Sequence, residues 1–276
     1  MHRVATGTGL ELRVEDWGDD GSGRSPVVLL HGFMGSAAAW GRLPSRLAED
    51  RRVLVPELPG HGGGDGPTDP AHYRVERVAR AVSAVVEALA PRPVDWVGYS
   101  MGGRILLAGW AEGSVVPRRV VLESSSPGLA NPEARAERRR LDEERATRLE
   151  REGLERFVEG WMRLPLFASQ RRLDPEARRR ERDRRLVHDP AALAACLRGG
   201  GTGSQPSYWP ALESLHWPAL LLTGALDRKF GEIAGAMVGE LPRARQSVVA
   251  DAGHAVHLEA PGVWLEEVRA HLDRAD

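Results

Sequence analysis

Residues 97–104 read VGYSMGGR, a lone serine set among glycines directly after the apolar run PVDWVGY and directly before MGGRILLAGW. Within this stretch Gly98-Tyr99-Ser100-Met101-Gly102 has the form G-x-S-x-G. The flanking pattern supplies its context, a strand before the serine and a helix after it. The glycines permit a strand-to-helix turn tight enough to strain the serine backbone and lift its hydroxyl above the sheet. Ser100 is thereby a candidate reactive hydroxyl, and the turn that presents it belongs to an α/β sheet.

Outward from this point the same rhythm repeats. LELRVEDW alternates like a half-buried strand, whereas PVVLLHG (26–32) is a continuous apolar run closed by glycine, the pattern of a buried parallel strand. AAAWGRLPSRLAED has helical periodicity, RVLVPELPGHG is another short apolar run, and YRVERVARAVSAVVEALA is an amphipathic helix. RRVVLESSS, PALLLTG and RQSVVADAG continue as strands, with helices beginning near KFGEIAGAMVG and in PGVWLEEVRAHL. Strands alternating with helices predict an α/β fold with a mostly parallel sheet and helices on both faces. The rhythm stops near Pro127 and resumes near Pro218, and the Arg- and Glu-rich run between them is helical in propensity throughout. The expected organisation is a core formed by 1–127 and 213–276, carrying a helical cap over 128–212. The heavy charge of 133–185 reads as solvated helix faces laced with i,i+4 pairs, so pattern alone assigns none of those arginines a role.

Composition narrows the function classes. The chain has 276 residues and a formal net charge of −1, which suits one large domain and gives no global field for nucleic acid or an anionic membrane. Its single cysteine, Cys196, excludes an internal disulfide framework and a Cys-rich metal site and fits a reducing, cytoplasmic setting. The N-terminal stretch lacks the charged and apolar segments of a signal peptide, and no run approaches the roughly 18 apolar residues of a membrane span. A soluble protein is expected. Lys229 is the only lysine among 38 basic residues. A coding bias toward arginine accounts for that imbalance. There is no H-E-x-x-H, and the glycine-rich run at 60–66 lacks the Lys-Ser/Thr of a phosphate loop, so it reads as a turn and neither metal nor organic cofactor is expected.

A serine hydroxyl needs a base, and the base needs an orienting acid. Asp227 follows the apolar run ending at Leu222, and His254 follows VVADAG, so both stand at strand ends on the sheet edge that carries Ser100. His257 is the rival base, three residues further along. Negative charge on a substrate oxygen calls for backbone donors, expected from Met101, at the head of the helix, and from Phe33, after the strand PVVLL.

With LHGFMGSAAAW, LPGHG, GYSMGG, the Asp227 loop and AGHAVHLEAP in place, and with the order Ser, Asp, His, the chain resembles the α/β-hydrolases over essentially its whole length. A further set, GYSMGGR, LESSSPGL (122–129), FVEGWMRLPLF (157–167), GTGSQP (201–206) and DRKF (227–230), resembles the 2-succinyl-6-hydroxy-2,4-cyclohexadiene-1-carboxylate synthases of menaquinone (vitamin K2) biosynthesis. That resemblance implies a lyase that abstracts a proton through a Ser-His-Asp triad. It would eliminate pyruvate from 2-succinyl-5-enolpyruvyl-6-hydroxy-3-cyclohexene-1-carboxylate, with no acyl-enzyme and no water consumed. The partner is then a small polycarboxylate. Arg104, one turn into the helix, faces the pocket mouth with a guanidinium able to grip a carboxylate. The resemblance also implies Tyr99, Trp161 and Arg185 as substrate-lining residues, with Arg182 and Arg184 one helical offset from Arg185. Two alternatives share the fold: a carboxylester or C–C bond hydrolase with the same triad, and a non-catalytic binding protein. Arg104 and the cap distinguish the lyase from the first, and the intact triad argues against the second.

Overall fold

A computed structural model describes every residue except 8, 20, 22, 64, 65, 91, 92, 275 and 276. The strands are β1 (His2–Ala5), β2 (Glu11–Trp17), β3 (Val27–Leu30), β4 (Val53–Pro56), β5 (Val94–Tyr99), β6 (Pro117–Glu123), β7 (Ala219–Gly224) and β8 (Ala244–Val249). They form one sheet in the order β1-β2-β4-β3-β5-β6-β7-β8. β2 pairs antiparallel with both of its neighbours, β1 and β4, at one edge, and every pairing from β4 onward across the sheet is parallel. The edge strand β1 carries too few residues to show a period in the sequence, and it is mostly exposed.

The helices are α1 (Leu43–Leu47), α2 (Val75–Leu89), α3 (Met101–Ala111), α4 (Pro132–Glu152), α5 (Leu154–Met162), α6 (Pro175–Arg185), α7 (Pro190–Gly200), α8 (Arg228–Glu240), α9 (Val256–Glu259) and α10 (Pro261–Leu272). Successive strand residues point to opposite faces, and the core divides accordingly. Val28, Leu30, Leu54, Trp96 and Leu122 join Val82 of α2, Leu106 of α3 and Met237 of α8 on one face. Val27, Leu29, Val53, Val97 and Val121 join Leu47 of α1 and Trp264 and Val268 of α10 on the other. The interior strands β3, β4 and β7 read as short apolar runs because both of their faces are covered.

The helix expected over AAAWGRLPSRLAED is not continuous. It consists of a 3-10 turn, Ala37–Trp40, and the short α1, separated at Gly41, where φ is 58°. The glycine-rich run expected as a turn lies in a loop after β4, with residues 64 and 65 outside the described set.

Between β6 and β7 come α4 to α7, and the described residues there contain no strand. α4 starts where the Asn131 side chain accepts a hydrogen bond from the Ala134 amide and ends at Gly153, φ 84°. It packs through Ala146 and Leu149 against Phe157 and Val158 of α5 and Leu193, Ala194 and Leu197 of α7, with Met34 of the sheet side beneath. Solvent-side charges pair at i,i+4 as expected, Arg163 with Glu159 and Arg180 with Glu176, and Arg198 of α7 also bridges Glu143 and Glu150 of α4. The two ends of this segment meet, since the Tyr208 amide donates to the Pro127 carbonyl at 2.7 Å and the Trp209 indole donates to the Gly128 carbonyl at 3.0 Å.

Candidate active site

Ser100 sits between β5 and α3 with φ 50° and ψ −106°, the strained turn that the glycine pattern calls for. The close approach requires those glycines. A Cβ on Gly98 would meet Gly103 Cα at 2.6 Å, and one on Gly102 would meet the Leu30 carbonyl oxygen at 2.1 Å. The Ser100 amide donates to the Glu123 carbonyl at 2.8 Å, which ties the turn to β6.

The three expected triad residues are brought together. His254 Nδ1 lies 2.6 Å from Asp227 Oδ2, and Nε2 lies 3.1 Å from Ser100 Oγ. An ionised carboxylate only accepts, so Nδ1–H donates to Asp227 and Nε2 is left free to take the Ser100 proton. Asp227 caps α8, with Oδ1 accepting from the Phe230 amide at 3.3 Å, and it is 6% exposed. His254 is 1% exposed and is walled by the rings of Phe230 at 4.6 Å, Tyr99 at 5.4 Å and Phe167 at 5.9 Å. Glu259, not singled out in the sequence, holds the backbone on both sides of this histidine: its carboxylate accepts from the Gly253 amide at 2.9 Å and the Ala255 amide at 3.3 Å. The rival base His257 is engaged elsewhere, with Nδ1 on buried Glu123 at 2.8 Å and its ring on Tyr99.

Met101 is the first residue of α3, so its amide has no acceptor within the helix, and Met101 lines the cavity over Ser100. Phe33 lines the same cavity from the loop after β3. That loop is fixed by His31, whose Nδ1 donates to the Gly32 carbonyl at 2.9 Å while Nε2 accepts from the Leu58 amide at 3.1 Å. Burial lowers the pKa of His31 to about 4, so the ring stays neutral and the two bonds persist at physiological pH.

A cavity of about 510 Å³ opens over Ser100 and His254, with Tyr99, Phe33 and Trp161 among its walls. Four cations line it: Arg104, Arg138, Arg145 and Lys229. Arg104 Nη1 donates to Gln205 Oε1 at 2.9 Å. Burial, helped by nearby Arg138, lowers the Arg104 pKa to about 10, which leaves it charged at neutral pH. Arg138 Nε and Arg145 Nη1 both donate to Asp142 Oδ1, at 2.8 and 3.1 Å, and the Arg145 guanidinium lies over the Trp161 ring at 5.9 Å.

Arg185 is the expected residue that the structure does not bring here. Its guanidinium turns back along α6 to Glu181, at 3.4 Å from the carboxylate and 2.9 Å from the carbonyl, and it lines a smaller pocket behind Tyr99. Its neighbours Arg182 and Arg184 are paired with Glu155 and Glu181. The cavity cations from the segment between β6 and β7 come from α4 instead. Residues 138, 142 and 145 fall at i, i+4 and i+7, a spacing that puts them on one helix face and that the sequence already displays.

Asp142 is 2% exposed and holds two guanidinium groups that are themselves about a third exposed or less. Asp142→Ala leaves those charges without a counter-ion. The expected result is a loss of roughly 2–3 kcal/mol, below the range for fully buried pairs because the arginines reach solvent. Urea unfolding checks this as a lower midpoint at unchanged slope, and a midpoint equal to that of the wild type would remove Asp142 as the anchor of the pair.

Comparison with known proteins agrees with this geometry. The alpha/beta hydrolase family model matches residues 27–268. A Bacillus subtilis protein, provisionally named 2-succinyl-6-hydroxy-2,4-cyclohexadiene-1-carboxylate synthase, is 38% identical over 98% of this chain and 97% of its own. The synthase of that name from Salmonella agona is 33% identical over 87% of this chain and 90% of its own. Among solved structures, MenH from S. aureus superposes with a TM-score of 0.89 at 30% identity, covering 95% of this chain and 97% of that one. A thermophilic esterase from Thermogutta terrifontis superposes with a TM-score of 0.83 at 28% identity, covering 98% and 97%. With a triad at the strand ends, arginines in the cavity above it and these relatives over nearly its full length, the chain belongs to the alpha/beta hydrolase family and, within it, to the 2-succinyl-6-hydroxy-2,4-cyclohexadiene-1-carboxylate synthases.

Proposed function

We propose that the chain is a lyase of menaquinone biosynthesis that eliminates pyruvate from 2-succinyl-5-enolpyruvyl-6-hydroxy-3-cyclohexene-1-carboxylate to give 2-succinyl-6-hydroxy-2,4-cyclohexadiene-1-carboxylate. One observation carries the reading: the cavity that holds the Ser100–His254–Asp227 triad is also lined by Arg104, Arg138 and Arg145. A hydrolase of neutral esters has no use for three fixed guanidinium groups beside its serine. A multi-carboxylate substrate does, because each carboxylate that leaves water needs a charge-assisted partner.

In this mechanism Ser100 Oγ passes its proton to His254 Nε2 and removes a ring proton from the substrate. The proton leaves C2, its C–H electron pair becomes the C2=C3 double bond, and the existing C3=C4 pair shifts to C4=C5 as the leaving group departs from C5. The carbon–oxygen bond to the enolpyruvyl group breaks, and the leaving enolate recovers the proton and tautomerises to pyruvate. Charge that develops on a substrate oxygen is met by the amides of Met101 and Phe33. Asp227 holds the imidazole in the required tautomer and stabilises its charged form. Tyr99 and Trp161 supply the walls against which the ring packs. The division of labour follows the chain, with the reactive groups on a core of 1–127 and 213–276 and most of the carboxylate grip on a cap of 128–212. The hydrogen bonds between Pro127 and Tyr208 and between Gly128 and Trp209 support that division.

Among the described residues no helix is long and apolar enough to cross a membrane. Cys196 is buried and forms no disulfide, and on that ground we assign the reaction to a reducing compartment, the cytoplasm. The test offers purified protein the enolpyruvyl substrate, with pyruvate release coupled to lactate dehydrogenase, and separately a p-nitrophenyl ester. Pyruvate release well above ester turnover is the expected result. Dominant ester turnover would make the protein a hydrolase, the activity named for its structural neighbour from Thermogutta terrifontis.

A further inference from the structure

Three of the cavity's cations have fixed partners: Arg104 on Gln205, and Arg138 and Arg145 on Asp142. Lys229 does not. It lines the cavity from the first turn of α8, two residues past Asp227, and is exposed. Its ammonium lies 5.6 Å from the Phe230 ring and, among the described residues, forms no ion pair. The adjacent Arg228 pairs with Glu232 at 3.0 Å.

The first turn of α8 carries the positive end of the helix dipole, and the acid at its start, the N-cap Asp227, is engaged by the Phe230 amide and by His254 rather than by Lys229. Helix stability therefore does not explain a lysine at 229, and neither does an ion pair. A chain that uses arginine at every other basic position has, at the cavity mouth, one compact and flexible ammonium able to follow an anion as it moves.

We propose that Lys229 binds the carboxylate of the departing pyruvate. The inference rests on the elimination proposed above. The carboxylates that stay with the product face arginines whose positions are fixed by Gln205 and Asp142. The carboxylate that leaves has to cross the mouth of the cavity. An exposed ammonium steadies the enolate as the carbon–oxygen bond breaks, and it releases the anion readily because water competes for both partners.

The test measures inhibition constants for two probes on the complete enzyme. One is pyruvate. The other is 2-succinylbenzoate, the aromatic analogue of the fragment that stays. Lys229→Met is expected to weaken pyruvate about 3- to 10-fold, the range from an exposed to a partly desolvated pair, and to leave 2-succinylbenzoate within about 1.5-fold. Lys229→Arg should keep most of the pyruvate affinity. Arg104→Ala should show the opposite split. Added salt should weaken pyruvate in the wild type more than in Lys229→Met. An unchanged pyruvate constant in Lys229→Met, or equal weakening of both probes, would overturn the assignment while leaving the lyase reading intact. A wild-type enzyme that released no pyruvate from its substrate would overturn the lyase reading itself, and the role of Lys229 with it.

Discussion

Ser100→Ala is expected to lower pyruvate release at least about a hundredfold and to leave the melting curve unchanged, since positioned acid–base groups contribute about 10²–10⁴ in rate. The fold should tolerate it. The strain at φ 50° belongs to the backbone turn, which alanine has to adopt as serine does. The hydroxyl itself has one polar contact among the described residues, the 3.1 Å approach to His254 Nε2. Its loss therefore removes the proton carrier and little else. His254→Ala should fall in the same range. Groups that act as a unit are not additive, so the double variant should be little worse than either single one. Stopped assays of pyruvate release alongside thermal unfolding decide the matter. Near-wild-type turnover with an unchanged melting curve in either single variant would remove the triad from the mechanism.

Arg104→Ala should cost about 10- to 150-fold in kcat/KM on the enolpyruvyl substrate. The basis is a charge-assisted bond of roughly 1.5–3 kcal/mol in a partly desolvated cavity, at 1.36 kcal/mol per tenfold. Gln205 makes the estimate sharper. By accepting from one guanidinium nitrogen it fixes the orientation of the planar group, so the remaining donors are aimed before substrate arrives. Arg104→Lys keeps the charge and loses the fork, so recovery should be partial. Turnover of a small neutral ester, where it occurs, should hardly change. Equal loss on both substrates would mean that Arg104 supports the serine turn, and no loss on either would leave the carboxylate grip to Arg138 and Arg145.

The parts legible in the sequence are those where geometry leaves few residue choices. Ser100, Asp227 and His254 stand at the carboxyl ends of β5, β7 and β8, and each apolar run shows where its strand stops. Gly98 and Gly102 could be read because a side chain at either would occupy the place of backbone atoms. The segment between β6 and β7 gives no such signal. In RRRERDRR almost every phase of the helix presents an arginine, so counting back from a distant motif selected Arg185, which in the fold turns to Glu181. Arg138 and Arg145 are hidden in a helix charged on nearly all sides, and only the acid between them, at the correct spacing, distinguishes their face. The overlong helix over 37–50 failed for a local reason. Gly41 adopts a conformation that ends a helix, and apolar periodicity continued across it without registering the break.

The paired bonds that join residues 127 and 128 to 208 and 209 have a consequence for how such enzymes diversify. A segment that leaves and returns through one doorway, between two strands already paired in parallel register, can be lengthened, shortened or replaced whole without shifting either strand. Mutation is then free to explore the segment while the proton-handling end of the sheet stays constant. A lineage that inherits this core acquires a new reaction by rewriting one interchangeable module. An esterase from another organism that superposes on the chain at a TM-score of 0.83 is the kind of relative such a history produces.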